Sequence, residues 1–334
     1  MTNATDIHPH IHLPQVNMPN TGETGKNAPA TYTTPSAQID SSPASSTPST
    51  TTTKSECISN KKVFRARRNV SDNELGVLRL IIARKAILTD QLTRITLGKP
   101  HVNHLQVMRR KLHKLEEQKL IRAENYTKSC YDYGSTAKLW RPTKLGLNVG
   151  ALNETDKIYF NETAQNFKLE HILAVNEIEA TLYDITREHE DFSIGKVEHE
   201  PVCWRKASDR YGSNFWLRPD AFVEILRDIN GQTHAVHYFI ELDRGTEEPK
   251  RLVAKCQVYI NYLKSTSPSD WCHGVRPLIV WVVQDEARKN TLISRIHEKF
   301  DNLGDQLFDV ILPNELPDYM IGLPNAPKPE ANHG

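Results

Sequence analysis

Along this chain a stretch with almost no hydrophobic pattern gives way to segments with helical and then strand periodicity. Residues 1–60 are dominated by Thr, Ser, Pro, Asn and Ala. Such a segment cannot bury enough apolar surface to offset the entropy of ordering, so a disordered tail is expected. Beyond it, Leu75, Leu78, Ile81 and Ile82 recur at helical spacing behind Ser71 and Glu74, a capping-box pair, which predicts a first helix ending near Lys85. Thr89 is placed to cap a short second helix carrying Leu92 and Ile95, and Leu97-Gly98-Lys99-Pro100 breaks it. A third helix is predicted from near Asn103, lined by Leu105, Met108, Leu112 and Leu115.

Two strand-like runs, 120–126 and 137–141, follow around a turn at 132–135. Three helices and a hairpin predict a winged helix-turn-helix over residues 61–150, with 142–162 serving as a linker or a short fourth helix. A second pattern then begins. A helix is expected at 167–182, strands at 197–204, 215–226 and 235–242, a helix at 249–263, a buried strand at 278–283, a helix at 287–300 and a last strand at 308–312. The order αβββαβαβ predicts an α+β or α/β domain over 160–312. Residues 313–334, rich in Pro and Asn, are expected to form a loosely packed tail.

Charge changes this picture more than composition does. The net charge of the 334 residues is only +1, yet between Lys61 and Ile121 fifteen lysines and arginines face five acids. A basic module of this kind attracts phosphates, and the third helix of a winged helix normally enters the major groove. His104, Gln106, Arg109, Arg110, Lys111 and Lys114 on that helix are the candidate DNA contacts, with Gln106, Arg109 and Arg110 the foremost. Apolar runs fall well short of the roughly 20 residues that span a membrane. The five cysteines are scattered and never paired closely as zinc grips are, which fits a reducing cytoplasm. His8, His10 and His12 alternate in the tail without preorganised geometry, and Trp216, Trp271 and Trp281 are read as packing residues.

Chemistry concentrates in the second pattern. Pro219-Asp220 lies in one predicted strand and Glu241-Leu242-Asp243 ends the next, so Glu241 and Asp243 share a strand face to which the neighbouring strand can bring Asp220. Clustered carboxylates repel one another unless a hard cation such as Mg²⁺ or Mn²⁺ neutralises them, and such a cation could polarise a phosphodiester and generate hydroxide. For a cationic side chain the candidates are Lys250, Arg251 and Lys255. Lys255 is preferred, because it shares a helical face with Tyr259 and Tyr262. Glu177 on the leading helix is a further candidate ligand or water-orienting group, with Glu179 the alternative. Either tyrosine could also form a covalent phosphotyrosine, although both positions suit packing.

The pattern of Glu177, Pro219-Asp220 and Glu241-x-Asp243 resembles the PD-(D/E)XK nuclease superfamily, and αβββαβαβ agrees with its restriction-endonuclease-like fold. More closely, His171-Ile-Leu-Ala-Val-Asn-Glu177, Arg218-Pro-Asp-Ala221 and Phe239-Ile-Glu-Leu-Asp-Arg-Gly-Thr246, with Lys255 and Tyr259, resemble the replication-relaxation family, which also places a winged helix first. The resemblance spans about residues 70–312. It implies action on double-stranded DNA at a plasmid origin, together with replication or transfer accessory proteins, and kinship with MobC-type mobilisation relaxases. The superfamily usually has lysine two residues after the acid of the third strand. Asp243 stands there, so two readings follow: a nickase whose cation has moved to Lys255, or a DNA-binding regulator on a degenerate nuclease fold.

Overall fold

The computed structural model describes residues 58–99, 101–126, 137–150, 168–209 and 211–322. Residues 1–57 of the tail expected at 1–60, with its three histidines, the turn at 132–135 and the stretch 151–167 lie outside the described residues.

The N-terminal module is built from α1 (Asn60–Arg68), α2 (Asp72–Arg84), β1 (Ile87–Leu88), α3 (Thr89–Thr96), α4 (Val102–Glu117), β2 (Ile121–Tyr126), β3 (Ala137–Pro142) and α5 (Lys144–Gly150). The Ser71–Glu74 capping box forms in both directions: the Glu74 amide donates to the Ser71 hydroxyl at 3.3 Å and the Ser71 amide to the Glu74 carboxylate at 3.0 Å. Thr89 does not cap α3 but is its first residue; the Leu88 amide is satisfied by the Gln91 side chain at 3.3 Å. The Thr89 hydroxyl is instead held by the Trp140 indole at 2.8 Å. The strands form an antiparallel sheet in the order β1-β3-β2. Leu78, Ile81, Leu92, Met108, Leu112 and Leu115 from three helices are buried in one cluster with Ile87, Ile121 and Trp140.

The C-terminal part is a five-stranded sheet in the order β10-β9-β8-β7-β4. Its strands are β4 (Phe192–His199), β7 (Ala221–Ile229), β8 (Gln232–Asp243), β9 (Leu278–Val283) and β10 (Phe308–Ile311). The first three pair antiparallel and the last three parallel, giving a mixed α+β arrangement. One sheet face packs on α6 (Leu169–Glu188) through Val175, Ile178, Leu182 and Ile185. The other packs on α7 (Pro249–Ser265) and α8 (Glu286–Phe300) through Leu252, Cys256, Tyr259, Leu292 and Ile296. Period-two alternation assigns Val223, Tyr238, Ile240 and Val280 to the α6 face, and Phe222, Phe239 and Trp281 to the α7 face.

Three expectations are corrected. The run predicted as one strand at 215–226 is two, because Pro219 interrupts it: β6 (Asn214–Leu217) pairs with β5 (Arg205–Ser208) in a separate hairpin, and β7 begins at Ala221. The first strand of the sheet lies earlier than 197–204, at β4, and ends in the turn before Trp204. The C-terminal tail does not begin at 313. A short α9 (Asn302–Leu307) leads into β10, and α10 (Leu316–Ile321) follows it with Leu316 and Met320 buried on the α6 face. The Arg227 guanidinium donates to the Ile321 carbonyl at 2.7 Å, which secures that end. Among the tryptophans, Trp281 is buried but Trp216 is half exposed. Among the described residues no helix is long and apolar enough to cross a membrane.

Helix α6 joins the two parts. Glu179, almost fully buried, takes both guanidinium donors of Arg84 at 2.5 and 2.6 Å and lies 3.1 Å from His199. The Asn176 amide donates to the Ala86 carbonyl at 2.7 Å, and that of Gln91 to the Leu173 carbonyl at 2.8 Å. The N-terminal module is thus fastened to the sheet by buried, directional contacts.

Candidate active site

The β7–β8 register pairs Ala221 with Ile240, so Asp220, one residue before β7, stands opposite Glu241. The Asp220 amide donates to the Ile240 carbonyl at 3.1 Å, and the Leu242 amide returns a bond to Asp220 Oδ2 at 2.8 Å. These two bonds straddle Glu241 and hold the Asp220 carboxylate beside it. By strand parity Glu241 projects to the α7 face, where its carboxylate is wholly buried. Pro249 in the first turn of α7 starts the helix that brings Lys255 and Tyr259, one turn apart, onto this group. Lys255 Nζ bonds Glu241 Oε2, and the Tyr259 hydroxyl donates to Glu241 Oε1 at 2.5 Å. Lys255 also lies 5.7 Å from the centre of the Trp281 ring.

The electrostatics follow from one ammonium serving two carboxylates. Burial, reinforced by the nearby Asp220 charge, pushes the Glu241 carboxyl up to about 8 against the pull of Lys255 and Tyr259. Burial also opposes ionisation of Asp220. There it is outweighed by the His171 hydrogen bond, the Lys255 charge and the Leu242 amide, which bring the carboxyl to about 2. Burial would discharge Lys255, but Glu241 and Asp220 hold its ammonium above the ordinary range. His171, from the first turn of α6, contacts Asp220 Oδ1 at 3.1 Å. Sequence reasoning placed His171 in a family-like string without giving it a role; nothing in the local spacing singles out a partner on another element.

Other candidates lie elsewhere. Asp243 shares the strand face of Glu241 but is claimed by Arg288 of α8: Nε bonds Oδ2, and Nη2 lies 3.2 Å from Oδ1. Gly245, at φ +72°, turns its amide back onto Asp243 Oδ1 at 3.0 Å, a conformation that glycine adopts without strain. Glu177 is on α6, which packs on the opposite sheet face, and its carboxylate pairs with Arg94 and with Gln91 at 3.0 Å. It lines a cavity of about 470 Å³ with Gln91, Tyr126, Glu170 and Arg244. Glu179, the alternative, is consumed by Arg84 and His199. Lys250 and Arg251 are exposed. Tyr259 and Tyr262 are buried, and burial with the Glu241 charge holds the Tyr259 hydroxyl in its protonated form.

On the N-terminal module, α4 buries Met108, Leu112 and Leu115 and turns Gln106, Arg109, Arg110 and Lys114 outward, with His104 and Lys111 half-buried at the edges. Lys114 lies 3.2 Å from Glu74, and His104 Nδ1 lies 3.3 Å from the Lys99 carbonyl. Arg109, Arg110 and Lys111 make no ion pair among the described residues. Basic α1, whose residues count in the basic block without a helix being assigned to them, exposes Lys61, Lys62, Arg65 and Arg68 as well.

Asp220 and Glu241 are hard oxygen donors on adjoining strands, a donor set suited to a hard divalent cation that would favour the ionised form of both. Asp243, with Arg288 and the Gly245 amide on its oxygens, does not complete that set in this arrangement. No curated protein and no solved structure matches the chain. A family model described as replication-relaxation matches residues 78–279, from α2 into β9, and so takes in α4, His171, Asp220, Glu241 and Lys255. The match covers more than half of the sequence, and the chain belongs to the replication-relaxation family.

Proposed function

We propose that the protein is a metal-dependent DNA-processing enzyme of replication or mobilisation, which binds double-stranded DNA through a winged helix and nicks it with a PD-(D/E)XK-like nuclease domain. Support for the winged helix comes from the order α2-β1-α3-α4-β2-β3 around a three-stranded antiparallel sheet, with the unpaired arginines of α4 turned outward. The domains are then the winged helix within 61–150 and the nuclease domain from α6 through α10. The reading rests above all on one observation, the Lys255 ammonium on Glu241 beside Asp220, which supplies the cation that the third strand lacks at Asp243.

In this reading Asp220 and Glu241 hold Mg²⁺ or Mn²⁺, which when bound polarises a scissile phosphate and lowers the pKa of a water. His171 and the Leu242 amide orient Asp220, and Tyr259 fixes the rotamer of Glu241. Lys255, about one-third exposed, would offset charge that develops on the phosphate. The clamp of Arg84 on Glu179 keeps the distance between the DNA-reading helix and the carboxylates fixed. A plasmid origin, accessory transfer proteins, MobC-type kinship and action in the cytoplasm are part of the same proposal. A second reading, a non-catalytic DNA-binding regulator, is favoured by the capture of Asp243 by Arg288.

The deciding experiment incubates the full chain with a supercoiled plasmid carrying the DNA that flanks its gene, with and without Mg²⁺ or Mn²⁺. Open circles formed only with metal, and lost in Asp220→Ala and Glu241→Ala, support the enzyme. Intact plasmid at saturating DNA binding supports the regulator.

A further inference from the structure

On the same sheet face as Glu241, toward the far end of β7 and β8, a second polar cluster lies apart from the carboxylates. Glu224 and His237 are register partners on β7 and β8. Cys272 and His273 come from the connection between α7 and β9, where His273 at φ 51° and Gly274 at φ 72° reverse the chain. Glu224 Oε2 lies 2.9 Å from His237 Nε2, 3.4 Å from Cys272 Sγ and 3.4 Å from His273 Nε2. The ligand atoms of Glu224, His237 and Cys272 all lie within 4.8 Å of one another. In a tetrahedral zinc site, bonds of 2.0–2.3 Å put neighbouring ligand atoms roughly 3.3–3.8 Å apart, so these three need only a modest contraction, while the half-exposed His273 ring, outside that group, would turn in as the fourth ligand.

We propose that Glu224, His237, Cys272 and His273 form a structural Zn²⁺ site distinct from the Asp220–Glu241 centre. Thiolate, imidazole and carboxylate together are a borderline-soft donor set that selects zinc over Mg²⁺. His237 carries the ring geometry of a metal ligand. It is wholly buried, with Nε2 2.9 Å from the Glu224 carboxylate and Nδ1 3.4 Å from the Val275 carbonyl, so a metal bound at Nε2 would leave the Nδ1 proton to that carbonyl. In that state the Nε2 lone pair and the Glu224 carboxylate would both face the ion, which takes the place of the proton they share in its absence. Gly195, at the β-bulge of β4, leaves the room: a Cβ there would come 2.2 Å from Glu224 Oε1. His273 and Cys272 are partly exposed and give the ion a way in. The ion would pin to the sheet the connection that follows the helix bearing Lys255 and Tyr259.

The test is a Co²⁺ titration of the metal-stripped, untagged full chain, followed by absorption. One equivalent is expected to give an intense near-ultraviolet thiolate-to-cobalt band with the visible bands of tetrahedral Co²⁺, displaced by one equivalent of Zn²⁺. Cys272→Ser abolishes the thiolate band and His273→Asn weakens binding at least tenfold, both at partly exposed positions where the fold tolerates the change. Asp220→Asn leaves the spectrum intact, so this site stands or falls separately from the nuclease. Absence of a thiolate band, or a spectrum unchanged in Cys272→Ser, overturns the proposal and leaves a hydrogen bond between the two side chains as the role of His237 and Glu224.

Discussion

The Lys255 ammonium sits on the Glu241 carboxylate although the two residues belong to a helix on one face of the sheet and to the strand beneath it. This pair places a cation where the third strand has none, since the expected lysine position is Asp243. It also explains how two buried carboxylates, Asp220 and Glu241, are tolerated side by side.

The fate of Asp243 gives the first prediction. Both oxygens are held, and the side chain is almost fully out of solvent against a largely buried Arg288. Arg288→Ala leaves that carboxylate uncompensated and is expected to cost about 3–5 kcal/mol in urea unfolding. Asp243→Asn combined with Arg288→Met recovers most of the loss. If Arg288→Ala is neutral in the presence of Mn²⁺ while Asp243→Asn stops cleavage, Asp243 is a metal ligand and its pairing with Arg288 is not maintained.

DNA affinity is expected to depend on α4 through charge. Replacing Arg109 and Arg110 by alanine removes two unpaired cations from an exposed face. Binding to a duplex, followed by fluorescence anisotropy across a salt series, should weaken about tenfold or more. The slope of log affinity against log salt should fall by about 2, near 0.9 per phosphate contact. An unchanged slope would assign the face to protein contacts.

Stability should fall with acid through the α6 clamp. Burial disfavours the charged Glu179 carboxylate, but Arg84 and His199 outweigh it and hold the folded carboxyl at about 2 rather than 4.5. The unfolded chain therefore binds this proton first. The contribution, about 3 kcal/mol, is complete above about 4.5 and lost as pH falls toward 2. His199 acts in the same direction at higher pH: burial and then Arg84 lower its value, so the unfolded state protonates first below about 6.5. Denaturant midpoints from pH 7 to 3 should fall in the wild type and fall less steeply in Glu179→Gln, whose stability is already low at neutral pH. Parallel curves would contradict the clamp.

What was legible in the sequence was local. The capping box at Ser71 and Glu74, the buried run Leu278–Val283 and the shared face of Lys255 and Tyr259 all follow from spacings of two, three or four residues. The pairing of Asp220 with Glu241 was accessible because a hairpin turn at Gly231 sets their register. Pairings between distant elements were not. Arg288 lies 45 residues beyond Asp243, and Arg94 lies 83 residues before Glu177; each became a partner only when helix packing chose a sheet face. Glu177 was assigned to the site because it leads the αβββ pattern, yet the apolar stripe Val175, Ile178, Leu182 and Ile185 binds α6 to the face away from Glu241. Only His171, at the helix end, reaches Asp220. The Glu224–His237–Cys272 cluster gave no sequence signal, because its members lack the close spacing by which zinc sites are usually read.

The central claim is that Lys255 and the adjoining carboxylates make a cleaving site. It is tested most directly by comparing wild type and Lys255→Met for metal-dependent nicking of the supercoiled plasmid at matched DNA occupancy. The account expects open circles from the wild type, and a loss of at least about 100-fold in Lys255→Met with DNA binding retained and partial rescue by Lys255→Arg. Equal nicking by wild type and Lys255→Met, or none by either at full occupancy, would contradict it.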